Sequence, residues 1–423
     1  MRFRLCLVVA YVFFSSILEV TAASSQGTET NVSTFVYPTG DGNLTFALTA
    51  TNGGDVYMHL SAPATYQWVG IGTGSKMEGS VMFIVYENAD KLSATLSPRL
   101  SDGHSEPTYS SSVDCDLFNQ TSDHGGIVQK GSSRYYSVNI HCKNITAHGE
   151  GDGKLDFSNT KQPFIYAWGP TDGAVSSASK SASIKRHDSY GTLWMDLAKA
   201  TSSNSDINAT FTEAALLTTQ NAGADGQAQS DGDKVGPAHA VIMLVTFVII
   251  FPLGALLLRF LESVKAHYIV QTVGLLAAVV GIAVGLYLGT MYNHSKDVSS
   301  GHQVFGLILL ILLLAQWAIG LYHHLRFRKY KRPTIYGRVH LFAGPAIVLG
   351  GIINGFTGFN FSGDSHNNVY YGAVVAVVII VVLALLGWKR WSKNKQAKHS
   401  RMLDDEELHE GSYQMNASHG ASY

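Results

Sequence analysis

The stretch of sequence that organises this chain opens with AHAVIMLVTFVIIFPLGALLLRF at residues 238–260 and runs on to Phe361. It contains four consecutive apolar segments, and each segment carries one histidine close to one end. These histidines are His239, His267, His302 and His340. If the chain weaves through a bilayer, the first and third histidines reach one membrane face and the second and fourth reach the other. Two histidines at each face are what two stacked haems require, each iron being held between two imidazoles.

Position at membrane depth argues that these four histidines share a role. A lone histidine near a helix end usually lies at the interface, but ionisable groups inside a membrane are costly and tend to be functional. From His239 to Arg259 a helix climbs about 30 Å at 1.5 Å per residue, so two irons near its ends would lie about 20 Å or more apart. Glycines on the second and fourth segments make room for a flat ring or, alternatively, allow tight helix packing. They are Gly274, Gly281, Gly285, Gly289, Gly344, Gly350, Gly351 and Gly355.

Five segments are long and apolar enough to span a bilayer. They are Ala238–Leu258, His267–Gly289, His302–Tyr322, Val339–Phe359 and Val369–Trp388. Basic residues concentrate in the connection Arg326–Arg332 and after the fifth segment, which assigns these regions to the cytosol. The opposite loops, Met291–Gly301 and Asn360–Asn368, carry a single basic residue, Lys296. The sequence therefore predicts an exterior N-terminal region and a disordered cytosolic tail over residues 391–423.

Composition agrees with a chain that lies partly in lipid. The chain has 423 residues, of which 46% are apolar and 14% charged. This length allows two or three domains. The formal net charge of −1 predicts no nucleic-acid partner.

Residues 1–22 have a basic start, an apolar run and a small-residue cleavage site, which together predict a secretory signal. A retained anchor helix is the alternative. Cys6 lies in this leader, so the mature chain would keep Cys115 and Cys142. These two can form one disulfide in an oxidising compartment, and closing that loop contributes about 3 kcal/mol. Sequons that predict glycosylation of an exterior surface occur at Asn31, Asn43, Asn119, Asn144, Asn208, Asn293 and Asn360.

Residues 30–200 have the alternation of strands rather than helices. Many short strands without helices between them predict an antiparallel sandwich. The predicted strands are Thr34–Tyr37, Leu44–Thr49, Val56–Leu60, Trp68–Gly72, Val81–Tyr86, Tyr135–His141 and Phe164–Trp168. Residues 201–234 are polar and small, and we expect a flexible linker there with a reach of roughly 30 Å. Such a linker would let the exterior domain tilt onto the membrane surface and lift away.

Two segments of the exterior region carry a resemblance to a known family. The segments Trp68–Met77, followed by an apolar strand, and Ile184–Gly191 resemble the DOMON domains, specifically the cytochrome domain of fungal cellobiose dehydrogenase. In that family a glycine-rich turn presents a methionine and a late histidine supplies the second axial ligand of a b-type haem.

This resemblance implies that Met77 and His187 bind a haem, with Met82 and His104 as the nearest competitors. The alternative places Met77 in the core and His187 on the surface. A thioether ligand raises the haem potential, which suits electron transfer. The chain contains no Cys-x-x-Cys-His, so any haem is bound non-covalently.

The membrane region, residues 235–390, resembles the cytochrome b561 family over its whole length. Four motifs carry the resemblance: His239 with Pro252-Leu-Gly254, His267-Tyr-Ile-Val-Gln271, Gly301-His302-Gln-Val-Phe-Gly306 with Gln316, and Gly337-Arg-Val-His340 with Gly351–Gly358. An exterior DOMON domain fused to such a core is a known architecture. Many members have six helices, whereas five are counted here. In ascorbate-using members basic residues at the cytosolic face help hold the donor. Arg259, Lys265 and Arg338 could serve here, or could only anchor the helices.

The sequence thus predicts a multidomain protein, with an extracellular all-β antiparallel sandwich followed by an all-α transmembrane bundle of five helices. We expect transmembrane electron transfer from a cytosolic reductant, ascorbate or a related compound, to an external acceptor such as a metal ion or a secreted redox enzyme. The cofactors expected are haem b, two in the bundle and one in the sandwich, and the expected membrane is the plasma membrane. The family also admits a ferric or cupric reductase. The rival interpretation is a membrane-anchored protein whose sandwich binds a sugar or another ligand. His294 and His366 lie on outer loops and could bind a metal, although solvated loop histidines are the preferred interpretation.

Overall fold

The computed structural model describes residues 31–118, 125–202 and 211–419. Within these ranges the chain forms an antiparallel β-sandwich, followed by five helices that are long and apolar enough to cross a membrane. This confirms the predicted fold class. The proposed signal segment, residues 1–22, and the sequons at Asn119 and Asn208 lie outside the described residues.

In the part of the chain that the structure describes, fifteen strands build the sandwich, and all seven predicted strands are among them, as β1–β5, β10 and β11. The strands are β1 Ser33–Thr39, β2 Gly42–Thr51, β3 Val56–Pro63, β4 Trp68–Thr73, β5 Val81–Glu87, β6 Ala94–Leu100, β7 Thr108–Tyr109, β8 Cys115–Leu117, β9 Gly125–Lys130, β10 Ser133–Cys142, β11 Gln162–Trp168, β12 Ser189–Met195, β13 Thr201–Ser202, β14 Ala222–Ala224 and β15 Gln229–Ser230.

The strands form two sheets that pack face to face. The first sheet has the order β1-β2-β3-β10-β8, with β9 added to β10 and β13 to β2. The second has the order β14-β12-β11-β4-β5-β6-β7, with β15 added to β12. Alternate residues of each strand point inward, so side chains such as Phe46, Leu60, Phe83 and Phe164 fill one continuous core.

A disulfide closes the edge of the first sheet. Cys115 on β8 lies opposite Cys142 on β10 in the strand register, and the two sulfurs are bonded. The structure confirms this predicted pairing.

The segment 201–234, expected to be a flexible linker, is instead paired with the sandwich over its described residues. Strand β14 pairs with β12, β15 pairs with the same strand, and β13 lies parallel to β2. A flexible linker was expected because the segment has few large apolar side chains. These short strands are instead held by backbone hydrogen bonds, which small residues make equally well. Gly223 leaves room for the Trp194 indole, which lies 3.0 Å from where a Cβ would stand.

Five long helices follow two short ones, α1 at Leu197–Ala200 and α2 at Glu213–Leu216. The five helices that are long and apolar enough to span a membrane are called the first to fifth spanning helices, in chain order. They are Val235–Leu261 with a π-helical turn at Val245–Ile250, Val264–Gly289, Gly301–Tyr330, Ile335–Phe361, and a fifth beginning at Asn368. The fifth helix runs on to His419. This differs from the disordered tail expected over residues 391–423, because the Lys, Gln, Ala and Glu residues there favour helix.

The first four spanning helices surround an apolar centre, which fixes where their polar residues lie. Phe247 and Phe251 of the first helix meet Ala278 of the second, Leu313 of the third and Ile347 of the fourth. The fifth helix packs outside this group, with Tyr371 and Val375 against Val248. The four histidine-bearing helices therefore form one bundle.

Candidate functional site

The bundle brings the four histidines together as two pairs. The rings of His239 and His302 have centroids 6.2 Å apart and planes at 89°. The rings of His267 and His340 have centroids 6.2 Å apart and planes at 88°. We call the first the near pair, because it lies at the end of the bundle that meets the sandwich, and the second the far pair.

Every one of the four rings has its Nδ1 bonded to a backbone carbonyl oxygen of a neighbouring helix. His239 Nδ1 lies 2.7 Å from the oxygen of Gly281, and His267 Nδ1 lies 2.8 Å from that of Gly254. A carbonyl can only accept, so each Nδ1 carries the proton and Nε2 is left with its lone pair.

The third and fourth helices repeat this arrangement with reciprocal contacts. His302 Nδ1 lies 3.0 Å from the Asn354 carbonyl, and the Asn354 amide donates back to the His302 carbonyl at 3.2 Å. His340 Nδ1 lies 3.1 Å from the Gln316 carbonyl, and the Gln316 amide donates back at 2.7 Å. The side-chain amides of Asn354 and Gln316 thus hold His302 and His340 against the neighbouring helix, which fixes each ring before any metal is bound.

The ring spacing fits a metal between the members of each pair. Two imidazoles that bind one metal through a single nitrogen each, at about 2.0 Å per bond, have centroids about 6 Å apart. Both pairs match that spacing, and their free Nε2 atoms are the donors that a haem iron takes from histidine. The residues present therefore fit two haem groups.

Glycines press on the histidine rings at three of the four positions. A Cβ at Gly285 would stand 2.6 Å from His239, one at Gly320 would stand 2.6 Å from His340, and one at Gly358 would stand 2.8 Å from His302. Sequence reasoning selected Gly285 but missed Gly320 and Gly358. Their spacing from the histidine on the neighbouring helix is visible only once the helices are packed.

The other glycines that were expected to make room for a flat haem ring instead allow close packing of the helices. Gly274 faces Phe251, Gly281 faces Met243, and a Cβ at Gly351 would overlap the Phe247 ring. The small-residue stripe thus brings the backbones close, an arrangement that is also common where helices pack in membranes. This favours the packing alternative for these positions.

Met77 packs on the outer face of the second sheet, and His187 lies two residues before β12 of the same sheet. A separate apolar cluster covers this face, formed by Trp68, Met82, Ile84, Tyr86 and Ile184. Met77 follows the end of β4 and packs partly buried against the cluster. The backbone around His187 returns to the start of β4, where Trp68 donates to the Lys185 carbonyl at 2.9 Å. The structure thus places Met77 on this apolar face, whereas the His187 ring contacts Tyr190 and no contact with Met77 is seen among the described residues.

The environment of His187 suits a neutral imidazole. Its Nδ1 lies 3.3 Å from Asp231 Oδ2 but lacks a hydrogen bond of acceptable geometry. Burial lowers the pKa of His187, and the Asp231 carboxylate opposes that shift without reversing it. A neutral ring keeps a lone pair for a metal.

The competing donors differ in position. Met82 belongs to the buried cluster and is 7% exposed, opposite Gly72 in the strand register. His104 is exposed on a loop. The choice between Met77 and Met82 stays a prediction, while His104 lacks the burial expected of a haem ligand.

Comparison with known families divides the chain in two. Residues 25–206 match the family described as the cytochrome domain of cellobiose dehydrogenase. Residues 224–326 match a domain of unknown function, DUF2427. No curated protein matches the chain.

Two solved structures resemble the sandwich. One is the cytochrome b domain of pyranose dehydrogenase from Coprinopsis cinerea, with 15% identity, a TM-score of 0.33, and coverage of 40% of this chain and 83% of that one. The other is the cytochrome domain of Myriococcum thermophilum cellobiose dehydrogenase, with 17% identity, a TM-score of 0.30, and coverage of 40% and 84%.

The cytochrome-domain match includes both exterior candidates, Met77 and His187, and the disulfide. The DUF2427 match includes His239, His267 and His302 and ends before His340. The near pair therefore lies wholly within the DUF2427 match, whereas the far pair is divided by its boundary.

Proposed function

We propose that this protein carries electrons across a membrane, through two b-type haems in the helical bundle and one in the sandwich. The observation that carries the proposal is the pair of perpendicular histidine couples at the two ends of one bundle. All four rings have Nδ1 committed to a carbonyl, which leaves four Nε2 donors in two places.

A bound haem would supply reversible one-electron chemistry at each site. The protein's own residues hold and shield it. Backbone carbonyls fix the tautomer and the ring orientation of each histidine. Phe247 and Phe251 fill the centre between the two pairs and keep water out of that space.

The expected partners follow from orientation. Basic residues at the far end of the bundle support placing that end at the cytosol, and they include exposed Arg259, Lys265 and Arg338. A cytosolic reductant of the ascorbate type would then supply electrons to the far pair. The sandwich would face the exterior, with the plasma membrane as its site and a metal ion or secreted redox enzyme as acceptor.

For the exterior site, the family match supports haem held by Met77 and His187. The apolar cluster on the outer face of the second sheet provides the water-poor surroundings that a non-covalent haem needs, and the thioether–imidazole donor set is one that electron-transfer cytochromes use.

Single alanine substitutions of the four histidines test the membrane sites. His239→Ala and His302→Ala should each remove the same haem, and His267→Ala and His340→Ala the other, because either change leaves an iron without its second imidazole. His366→Ala, on an exposed loop, is the control. Haem content and visible spectra of purified protein give the readout. Unchanged haem content in all four variants would remove the basis of the proposal.

A further inference from the structure

The sandwich sits directly on the loops at the near end of the bundle, and one buried carboxylate holds the contact. Glu106 accepts from the Asn293 backbone amide at 2.8 Å, and its own amide donates to the Met291 carbonyl at 2.7 Å. On the sandwich side, the same carboxylate accepts hydrogen bonds from the Arg99 guanidinium at 3.1 Å and from the Ile184 backbone amide at 2.9 Å. Glu106 therefore joins two parts of the sandwich to the loop between the second and third spanning helices.

Asn293 adds a second set of contacts with the strand region after Glu106. Its side-chain nitrogen donates to the Pro107 carbonyl at 3.2 Å, and its side-chain oxygen accepts from Thr108 at 3.3 Å. Both polar atoms of the carboxamide are thus used across the junction.

The loop after the fourth spanning helix contributes an ion pair. Lys185 Nζ lies 2.6 Å from Asp364 Oδ1 of that loop and 2.8 Å from Asp172 Oδ2 of the sandwich. The Lys185 ammonium therefore bridges the loop of the bundle and the sandwich through these two carboxylates.

A line of aromatic rings runs through this junction. The ring of Phe361 stacks on the near-pair ring of His302, with centroids 6.0 Å apart at 27°. The ring of His294 meets Phe361 with centroids 4.9 Å apart. His294 Nδ1 is 2.8 Å from Ser183 Oγ, on the segment that leads to His187. These contacts connect the near pair to the exterior candidate site.

We propose that residues 291–294 and 360–364 are a docking site for the sandwich, with Glu106 as its anchor, and that His294 and Phe361 are positioning residues for electron passage between the domains. The second part rests on the proposed function. His302 and His187 would each help to hold a haem, and one electron would pass from the first haem, which is oxidised, to the second, which is reduced, with no covalent bond formed or broken.

Cross-linking tests docking without any cofactor. In the full-length chain in native membranes, Thr108→Cys with Asn293→Cys should form a disulfide under mild oxidation, because these side chains already touch. Ser112→Cys with Asn293→Cys is the matched control, since Ser112 is exposed on the same loop region. Mass spectrometry of the linked peptides is the readout. Equal linking by both pairs, or by neither, would overturn the docking site.

A charge exchange tests the Lys185 contact. Asp364→Lys should lower the rate of Thr108–Asn293 linking about tenfold, equivalent to about 1.4 kcal/mol, and Lys185→Glu added to Asp364→Lys should restore it. Asp172→Asn is the matched control, since it removes the other partner of Lys185 without touching the loop. If Asp364→Lys left the linking rate unchanged, the Lys185–Asp364 ion pair would have no role in docking.

The ring contacts need a separate measurement. Phe361→Ala and His294→Ala should slow reduction of the exterior haem after the membrane haems are reduced, and should do so by a larger factor than they lower Thr108–Asn293 cross-linking. Phe361→Tyr, which keeps the ring, should restore the rate. If cross-linking succeeds and the rate is unaffected by ring loss, the positioning role fails and docking stands. If no haem is bound at all, the proposed function fails instead.

Discussion

At the scale of single residues, the bundle prepares its histidines with backbone carbonyls rather than with charged partners. A carboxylate at that depth would carry a desolvation cost, whereas a carbonyl of a packed helix is already there. The reciprocal amides of Gln316 and Asn354 make the same contacts stiffer. Because the rings are held before binding, each site can be tested by disturbing one ring.

Gly285→Ala should disturb the near pair alone. The added Cβ would stand 2.6 Å from His239 Cε1, so the ring must move, at a cost of about 1–3 kcal/mol for overpacking. Gly289→Ala is the matched control on the same helix, because its nearest neighbours lie at 3.5 Å. Redox titration and haem content measure the effect. Equal results for the two variants would show that the ring contact at Gly285 has no importance.

Substitution of the two methionines assigns the exterior ligand. Met77→Ala should lower the potential of the exterior haem and change its spectrum, because the iron loses a thioether. Met82→Ala removes a buried side chain from the apolar cluster, and should cost about 2–5 kcal/mol of stability while leaving the axial ligand in place. A spectrum that changes only with Met82→Ala would move the ligand to that residue.

At the scale of elements, the spanning helices could be predicted because each is a long apolar run, and seven strands because each is a short run rich in β-branched and aromatic residues. Strand β6 was missed, since it contains Pro98 and the buried Arg99, both unusual in a strand. Arg99 is 1% exposed and is tolerated because Glu106 and backbone carbonyls receive its donors. Such compensation comes from distant residues and leaves no local signal.

The strands after residue 220 were missed because they too are held by pairing with distant residues. They indicate that the exterior domain extends beyond residue 220. A fragment of residues 24–232 should be more stable than one of residues 24–202, because the shorter one loses β14, β15 and the pairing of Thr34 with Gln220. At roughly 1 kcal/mol per net hydrogen bond, the difference should be a few kcal/mol. Urea unfolding of both fragments, with the disulfide intact, measures it. Equal midpoints would show that these strands add nothing.

At the scale of the whole molecule, the two domains form one docked unit where a freely tilting exterior domain was expected. The histidine pairs could be predicted because the four histidines alternate between the two ends of successive apolar segments. The docking site was not, because Glu106, Asn293 and Asp364 lie far apart in sequence and have ordinary surroundings locally. His294 is exposed, as expected of a loop residue, but its Nδ1 also contacts Ser183 Oγ at 2.8 Å across the junction.

Docking should weaken in acid. Burial lowers the pKa of His294 below its ordinary value of 6.5, and the facing Glu106 carboxylate opposes this only in part. Tyr292, the other titratable neighbour, stays neutral because burial raises its pKa. A histidine with a lowered folded pKa stabilises the docked form fully above 6.5, and this stability is lost as the pH falls from 6.5 through the lowered pKa.

The Thr108–Asn293 cross-linking rate, corrected for thiol ionisation with a free cysteine standard, measures this dependence. His294→Gln removes the titrating group and should flatten the profile between neutral and mildly acidic pH. A profile that is identical with and without the histidine would place the acid sensitivity elsewhere.

The carboxamide of Asn293 gives the junction one more consequence. Asn293 begins an Asn-His-Ser sequon, and the nitrogen that a glycan would occupy is the one that donates to Pro107. That nitrogen would keep one hydrogen after glycosylation, but a bulky sugar attached to it would stand at the contact with the sandwich and oppose docking. If only some molecules were glycosylated at Asn293 during synthesis, the population would contain molecules that can dock and transfer electrons between the domains and molecules that cannot. Each molecule would keep its state for its lifetime.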